Sequence, residues 1–178
     1  EERKIRFPLR DPLGEILLIS FLSLGQGVLL HACGINDRGR GLLFVGNSGA
    51  GKSTLANLWK DKEGVSILSD DRIIIRKIDG RLWIYGTPWR GEAKLSSPEG
   101  VPLDKIFFIN HAEKNTVTKI ETVEPVSRLI TCSFPTFWDK KGMEFTLDFC
   151  AELVEKIPCY ELGFVPDRSV LDLVKSNL

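Results

Sequence analysis

The sequence predicts an α/β fold, a mixed sheet flanked by helices, and three observations carry that expectation. Short apolar runs of strand type are interspersed along the whole chain with segments whose apolar residues recur at helical spacing. One such run, residues 42–45, leads straight into a glycine-rich stretch and then into a helical segment, the strand–loop–helix order of an α/β unit. The chain has 178 residues, 43% hydrophobic and 27% charged, which suits a single domain that buries its core without disulfide or metal staples. No internal repeat or low-complexity tract interrupts it.

Taken in order, residues 1–12 are charged and carry Pro8 and Pro12, so a flexible lead-in or the remnant of a longer N-terminal segment is expected there. Residues 13–24 have helical spacing, with Gly25 as the stop. Two strands, 28–33 and 41–45, flank turn chemistry at 36–39. A helix over 52–60 and a strand over 66–68 follow, the latter running into Ser69-Asp70-Asp71. Residues 72–78 and 81–85 flank Asp79-Gly80, the strongest hairpin signal in the chain. The Gly- and Pro-rich stretch 86–102 reads as a long loop, and loops of that length are often functional. Strands at 105–110 and 116–120, helices at 126–132 and 146–156, a short strand that residues 158–163 lead into and a helix at 168–174 behind Asp167 complete the pattern.

Charge and hydropathy exclude several classes. The 24 basic and 24 acidic residues balance, so no basic excess is available to neutralise a nucleic-acid backbone or an anionic membrane. The longest apolar stretch, 16–30, is broken by Ser20, Ser23 and Gly25-Gln26-Gly27 and falls short of the ~20 residues of a membrane span. Glu1-Glu2-Arg3-Lys4 has no apolar core behind it, so no signal peptide is expected. Cys33, Cys132, Cys150 and Cys159 lack metal-ligand spacing and read as reduced, buried thiols of a cytoplasmic protein.

Chemistry concentrates in the stretch Gly46-Asn47-Ser48-Gly49-Ala50-Gly51-Lys52-Ser53, a full G-x-x-x-x-G-K-[ST] match. Glycines let consecutive N–H groups turn inward as an anion nest, and the following helix adds its positive end. Lys52 is placed to reach β- and γ-phosphates, Ser53 to hold Mg2+, and Thr54 to close the binding stretch, so ATP and Mg2+ are the expected ligands. Asp70 and Asp71 end the next strand, where an acid commonly holds Mg2+. A second acid can take the proton of an attacking hydroxyl, provided the strand is already breaking so that both face one site. His31 lies on the apolar strand beside the one that feeds the loop, within reach of that acidic pair.

This set resembles the catalytic domain of HPr kinase/phosphorylase: a strand His ahead of the loop, Gly46 to Ser53, and a strand ending in Asp70-Asp71-Arg72. The likeness covers residues 28–75 well and the rest loosely. It implies the P-loop fold shared with phosphoenolpyruvate carboxykinase and phosphoryl transfer from ATP to a serine hydroxyl. It also implies proton handling by His31 and Asp70, with Mg2+ on Ser53, Asp70 and Asp71. The chain departs from the family where Thr54 replaces an acidic residue. A second departure is Gly86-Thr87-Pro88-Trp89-Arg90-Gly91, standing where the family has a glycine-rich signature, so kinase activity without phosphorolysis is expected.

The resulting expectation is a Mg2+-dependent phosphotransferase acting on a hydroxyl of a protein, peptide or small molecule, with a homo-oligomer left open. Asp70 is the expected base, His31 its partner, Asp71 with Ser53 the metal ligands, and Arg90 a binder of the acceptor or of transition-state charge. The alternative is a regulatory P-loop NTPase or a non-catalytic nucleotide module. A switch GTPase would need an Asn-Lys-x-Asp guanine reader, and the sequence has none.

Overall fold

The computed structural model describes residues 12–177, so the expected lead-in lies, save Pro12, outside the described residues. Thirteen elements follow: helix α1 (Leu13–Leu22), strands β1 (Val28–Asp37) and β2 (Arg40–Val45), helix α2 (Lys52–Trp59), strands β3 (Val65–Ser69), β4 (Arg72–Ile78), β5 (Arg81–Tyr85), β6 (Gly100–His111) and β7 (Thr116–Lys119), helices α3 (Glu124–Thr131) and α4 (Lys140–Lys156), strand β8 (Cys159–Phe164) and helix α5 (Ser169–Ser176). The architecture is a mixed sheet with helices on its faces.

Strand β1 is the hub. Its first half, Val28–His31, pairs antiparallel with β4, and its second half pairs with β2 on one side and β3 on the other. Strand β2 then pairs parallel with β6, β6 parallel with β8, and β7 closes antiparallel on β8. The β4–β5 hairpin turns at Asp79 and Gly80, both at positive φ as a two-residue hairpin turn demands, and β5 returns to the start of β6. The order therefore closes a ring β1-β2-β6-β5-β4.

Two apolar layers hold the sheet. Leu30, Val45, Ile73 and Phe108 pack with Leu129 of α3 and Phe149 and Leu153 of α4. On the other face Ile35, Phe44 and Phe107 pack with Leu55 and Trp59 of α2 and Val170 and Val174 of α5. Deletion of one such buried Leu or Phe costs about 2–5 kcal/mol, so each helix is held on the sheet mainly by its own apolar stripe. Helix α1 lies outside these layers: Ile19 and Leu22 pack on Leu29, while Leu17 and Phe21 are exposed. Among the described residues no helix is long and apolar enough to cross a membrane. All four cysteines are buried and free.

The structure corrects some boundaries. Strand β1 continues through the expected turn to Asp37, and the chain reverses at Arg38-Gly39, where Asn36 Oδ1 accepts the Gly39 N–H. Strand β6 begins at Gly100, because Gly100, Val101 and Pro102 pair with Tyr85, Ile84 and Trp83. The long loop thus ends at residue 99, ahead of the expected 102. Helix α4 begins at Lys140, well before residue 146, because the Asp139 carboxylate caps the Lys141 and Gly142 amides.

Candidate functional site

The loop Gly46-Asn47-Ser48-Gly49-Ala50-Gly51 joins the end of β2 to the start of α2 as the sequence requires. Gly51 caps α2 at φ +101°, and a Cβ there would stand 2.6 Å from the Phe164 ring, so only glycine fits. Asn47, Ser48 and Gly49 are exposed at the tip, whereas Ala50 is buried beneath it. Lys52 is buried, and its Nζ donates to the carbonyls of Gly46 (2.7 Å) and Asn47 (2.9 Å), which lays the ammonium across the loop. Burial lowers its pKa below the ordinary lysine value, against the opposing pull of nearby Cys132 and Asp71. On the far side His111 Nε2 lies 2.9 Å from the Gly49 carbonyl.

The two acids sit where β3 has ended at Ser69 and β4 has not yet begun at Arg72. That break lets adjacent residues face one cleft, as their joint use requires. Ser69 Oγ builds the break: it accepts the amides of Asp71 and Arg72 and donates to the Trp89 carbonyl. Asp70 is 1% exposed, and both its oxygens are engaged. Oδ2 accepts from Ser53 Oγ (3.0 Å) and the Ala93 amide (2.8 Å), and Oδ1 accepts from the Gly91 amide (2.9 Å). A Cβ on Gly91 would come within 2.7 Å of Asp70 Oδ2, so the close approach needs glycine. Asp71 is half-buried; its Oδ1 receives the His31 Nδ1–H at 3.1 Å. That hydrogen bond, outweighing burial, lowers the Asp71 pKa below 3.8, with Arg72 acting in the same direction.

A cleft of about 180 Å³ collects Ser48, Lys52, Ser53, Asp70, Asp71 and His31 together with Thr54. The expected partnerships are exchanged within it. His31 was expected on Asp70 and sits on Asp71; Ser53 was expected beside Asp71 and sits on Asp70. The register decides this: His31 stands opposite Arg72 across β1 and β4, so the residue beside Arg72 meets the imidazole. Arg90 is exposed, bonds Ser96 Oγ through Nε at 2.8 Å, and does not line the cleft. Trp89 instead lies by Arg72, whose guanidinium carbon is 5.8 Å from the ring centroid. Sequence reasoning missed Gly91 and Ala93, which act through backbone amides and leave no side-chain signal. It also gave no role to Ser69, Arg72 or His111, although Arg72 was visible in the Asp-Asp-Arg run.

No family model matches the chain, and no curated protein matches it. Among solved structures the chain is similar to one described as the HPr(Ser) kinase/phosphatase from Coxiella burnetii. The identity is 13%, covering 84% of this chain and 89% of that one, at a TM-score of 0.47.

Proposed function

We propose that the chain is an ATP- and Mg2+-dependent phosphotransferase that moves the γ-phosphoryl group to a hydroxyl, most simply a seryl hydroxyl of a protein, peptide or small molecule. The observation that carries this reading is the meeting, in one cleft, of the Lys52 end of α2, the Ser53–Asp70 pair and the Asp71–His31 pair. The loop amides and the positive end of α2 supply an anion site for the triphosphate. Among the described residues Lys52 is the only lysine lining the cleft, and its ammonium offsets charge that builds on the transferring group.

The roles of the two acids follow from their partners. A carboxylate offers about four lone-pair sites, and three donors already occupy those of Asp70. Its remaining capacity, together with the Ser53 oxygen, suits a hard cation that takes oxygen ligands and keeps several waters. A Mg2+ held by Asp70 and Ser53 would supply positive charge that neutralises the phosphates. Asp71, less buried than Asp70 and held ionised by His31, is the group able to accept a proton. The acceptor O–H bond breaks to Asp71, the oxygen forms its bond to the γ-phosphorus, and the bond to the β-phosphate oxygen breaks to release ADP. His31 orients the carboxylate and shares the proton. The base is thus Asp71 where the sequence expectation had Asp70, while Asp70 and Ser53 keep the metal role also expected of them.

The decisive trial incubates the protein with γ-labelled ATP, Mg2+ and a set of seryl peptides and small alcohols. Label transfer that is lost in Asp71→Asn, with nucleotide still bound, is the expected result. Transfer by Asp71→Asn at the parent rate would overturn the assignment of the base.

A further inference from the structure

The Asp71–His31 pair has a support in the next residue of the chain. Arg72 follows Asp71 directly, and its Nε faces Asp71 Oδ2 at 3.7 Å. That Nε is buried and, among the described residues, makes no hydrogen bond, so its nearest charged acceptor is the carboxylate whose other oxygen holds His31. The rest of the guanidinium is fixed from outside the cleft. Nη1 meets Glu15 of α1 at 3.3 Å, and the guanidinium carbon lies 5.0 Å from the Phe134 ring centroid and 5.8 Å from that of Trp89. The backbone is pinned as well: Ser69 Oγ accepts the Arg72 N–H, and Thr87 Oγ1 donates to its carbonyl. Arg72 does not line the cleft. It stands beside the acid, outside that lining.

We propose that Arg72, anchored by Glu15 and the Trp89 and Phe134 rings, is a positioning residue that fixes the Asp71 carboxylate so that Oδ1 stays on His31. A planar guanidinium can stack on aromatic faces and present a directed N–H at its edge, which a lysine ammonium cannot. Helix α1 thereby reaches the reaction centre through one ion pair, although it contributes nothing to the cleft itself. This role rests on Asp71 being the proton acceptor.

The test compares the full chain with Arg72→Ala and Arg72→Lys. In both variants kcat for label transfer falls about tenfold to a hundredfold, the loss that small misplacements of a reacting group produce, while KM for ATP stays within about twofold. Millimolar ethylguanidinium restores part of the rate to Arg72→Ala by filling the same slot, and Arg72→Lys gains nothing from it. A second readout needs no turnover: the ¹⁵N resonance of His31 Nδ1 moves in Arg72→Ala and returns with ethylguanidinium. If the parent transfers no phosphate, the functional reading fails, and the resonance alone decides the role of Arg72. Should Arg72→Ala not fold, Arg72→Lys carries the test through kcat and the same resonance. Parent-like kcat and a parent-like resonance, or a loss that ethylguanidinium does not touch in folded Arg72→Ala, would overturn the proposal.

Discussion

Asp70→Asn is the substitution whose effect can be worked most fully from the structure. The side chain keeps its shape and loses only its charge and one acceptor. In the better orientation the amide oxygen takes the Oδ2 position and keeps Ser53 and Ala93. The new NH2 group then points at the Gly91 N–H, donor against donor, in a place where Asp70 is 1% exposed. Loss of a hydrogen bond to a charged acceptor costs about 1.5–3 kcal/mol, and a buried amide left unpaired costs about 1–3. The two overlap, so the expected destabilisation is about 2–4 kcal/mol. For a chain of this size that lowers Tm by about 4–16 °C. Urea unfolding followed by tryptophan fluorescence gives the difference directly, and Asp71→Asn is the control. Asp71 is less buried than Asp70 and lacks the three-donor cradle, so its variant should lose less than Asp70→Asn does. If Asp70→Asn unfolds at the parent's midpoint, the three-donor cradle does not anchor the 86–99 loop and the reasoning is refuted.

Other expectations follow from the same geometry. Asp71 has its pKa depressed from 3.8, chiefly by His31, so it contributes stability that is full above that value and is lost as pH falls through the folded pKa. Urea midpoints at about pH 6 and about pH 3 should differ less in Asp71→Asn than in the parent; an equal difference would mean that the pair adds nothing to acid sensitivity. Arg90 is exposed and bonds Ser96 away from the cleft, so Arg90→Ala should change label transfer by no more than about twofold. A hundredfold loss in steady-state assays would restore Arg90 to the acceptor site.

Much of this was legible because the signals are local. The run from Gly46 to Ser53 between an apolar strand and a helix fixes its own conformation, and Asp79-Gly80 fixes the hairpin that carries β4 to β5. The break at Asp70-Asp71 was foreseeable from the requirement that both acids face one cleft. Which acid meets His31 was not, since that depends on the pairing of β1 with β4, a contact between chain segments far apart in sequence. Local composition also misled at residue 102, where a proline that looks like loop ends the pairing of β5 with β6. Gly91 and Ala93 escaped because a backbone amide has no letter of its own, and Arg72 because its partners Glu15 and Phe134 come from distant helix and loop segments.

Calorimetric titration of the protein with ATP, in the presence and absence of Mg2+, bears most directly on the central claim. The account predicts saturable binding that Mg2+ strengthens and that Lys52→Ala weakens at least about a hundredfold, or about 2.7 kcal/mol, while the variant remains folded by circular dichroism. Equal affinity of folded Lys52→Ala and the parent, or binding indifferent to Mg2+, would contradict a triphosphate site at the end of α2.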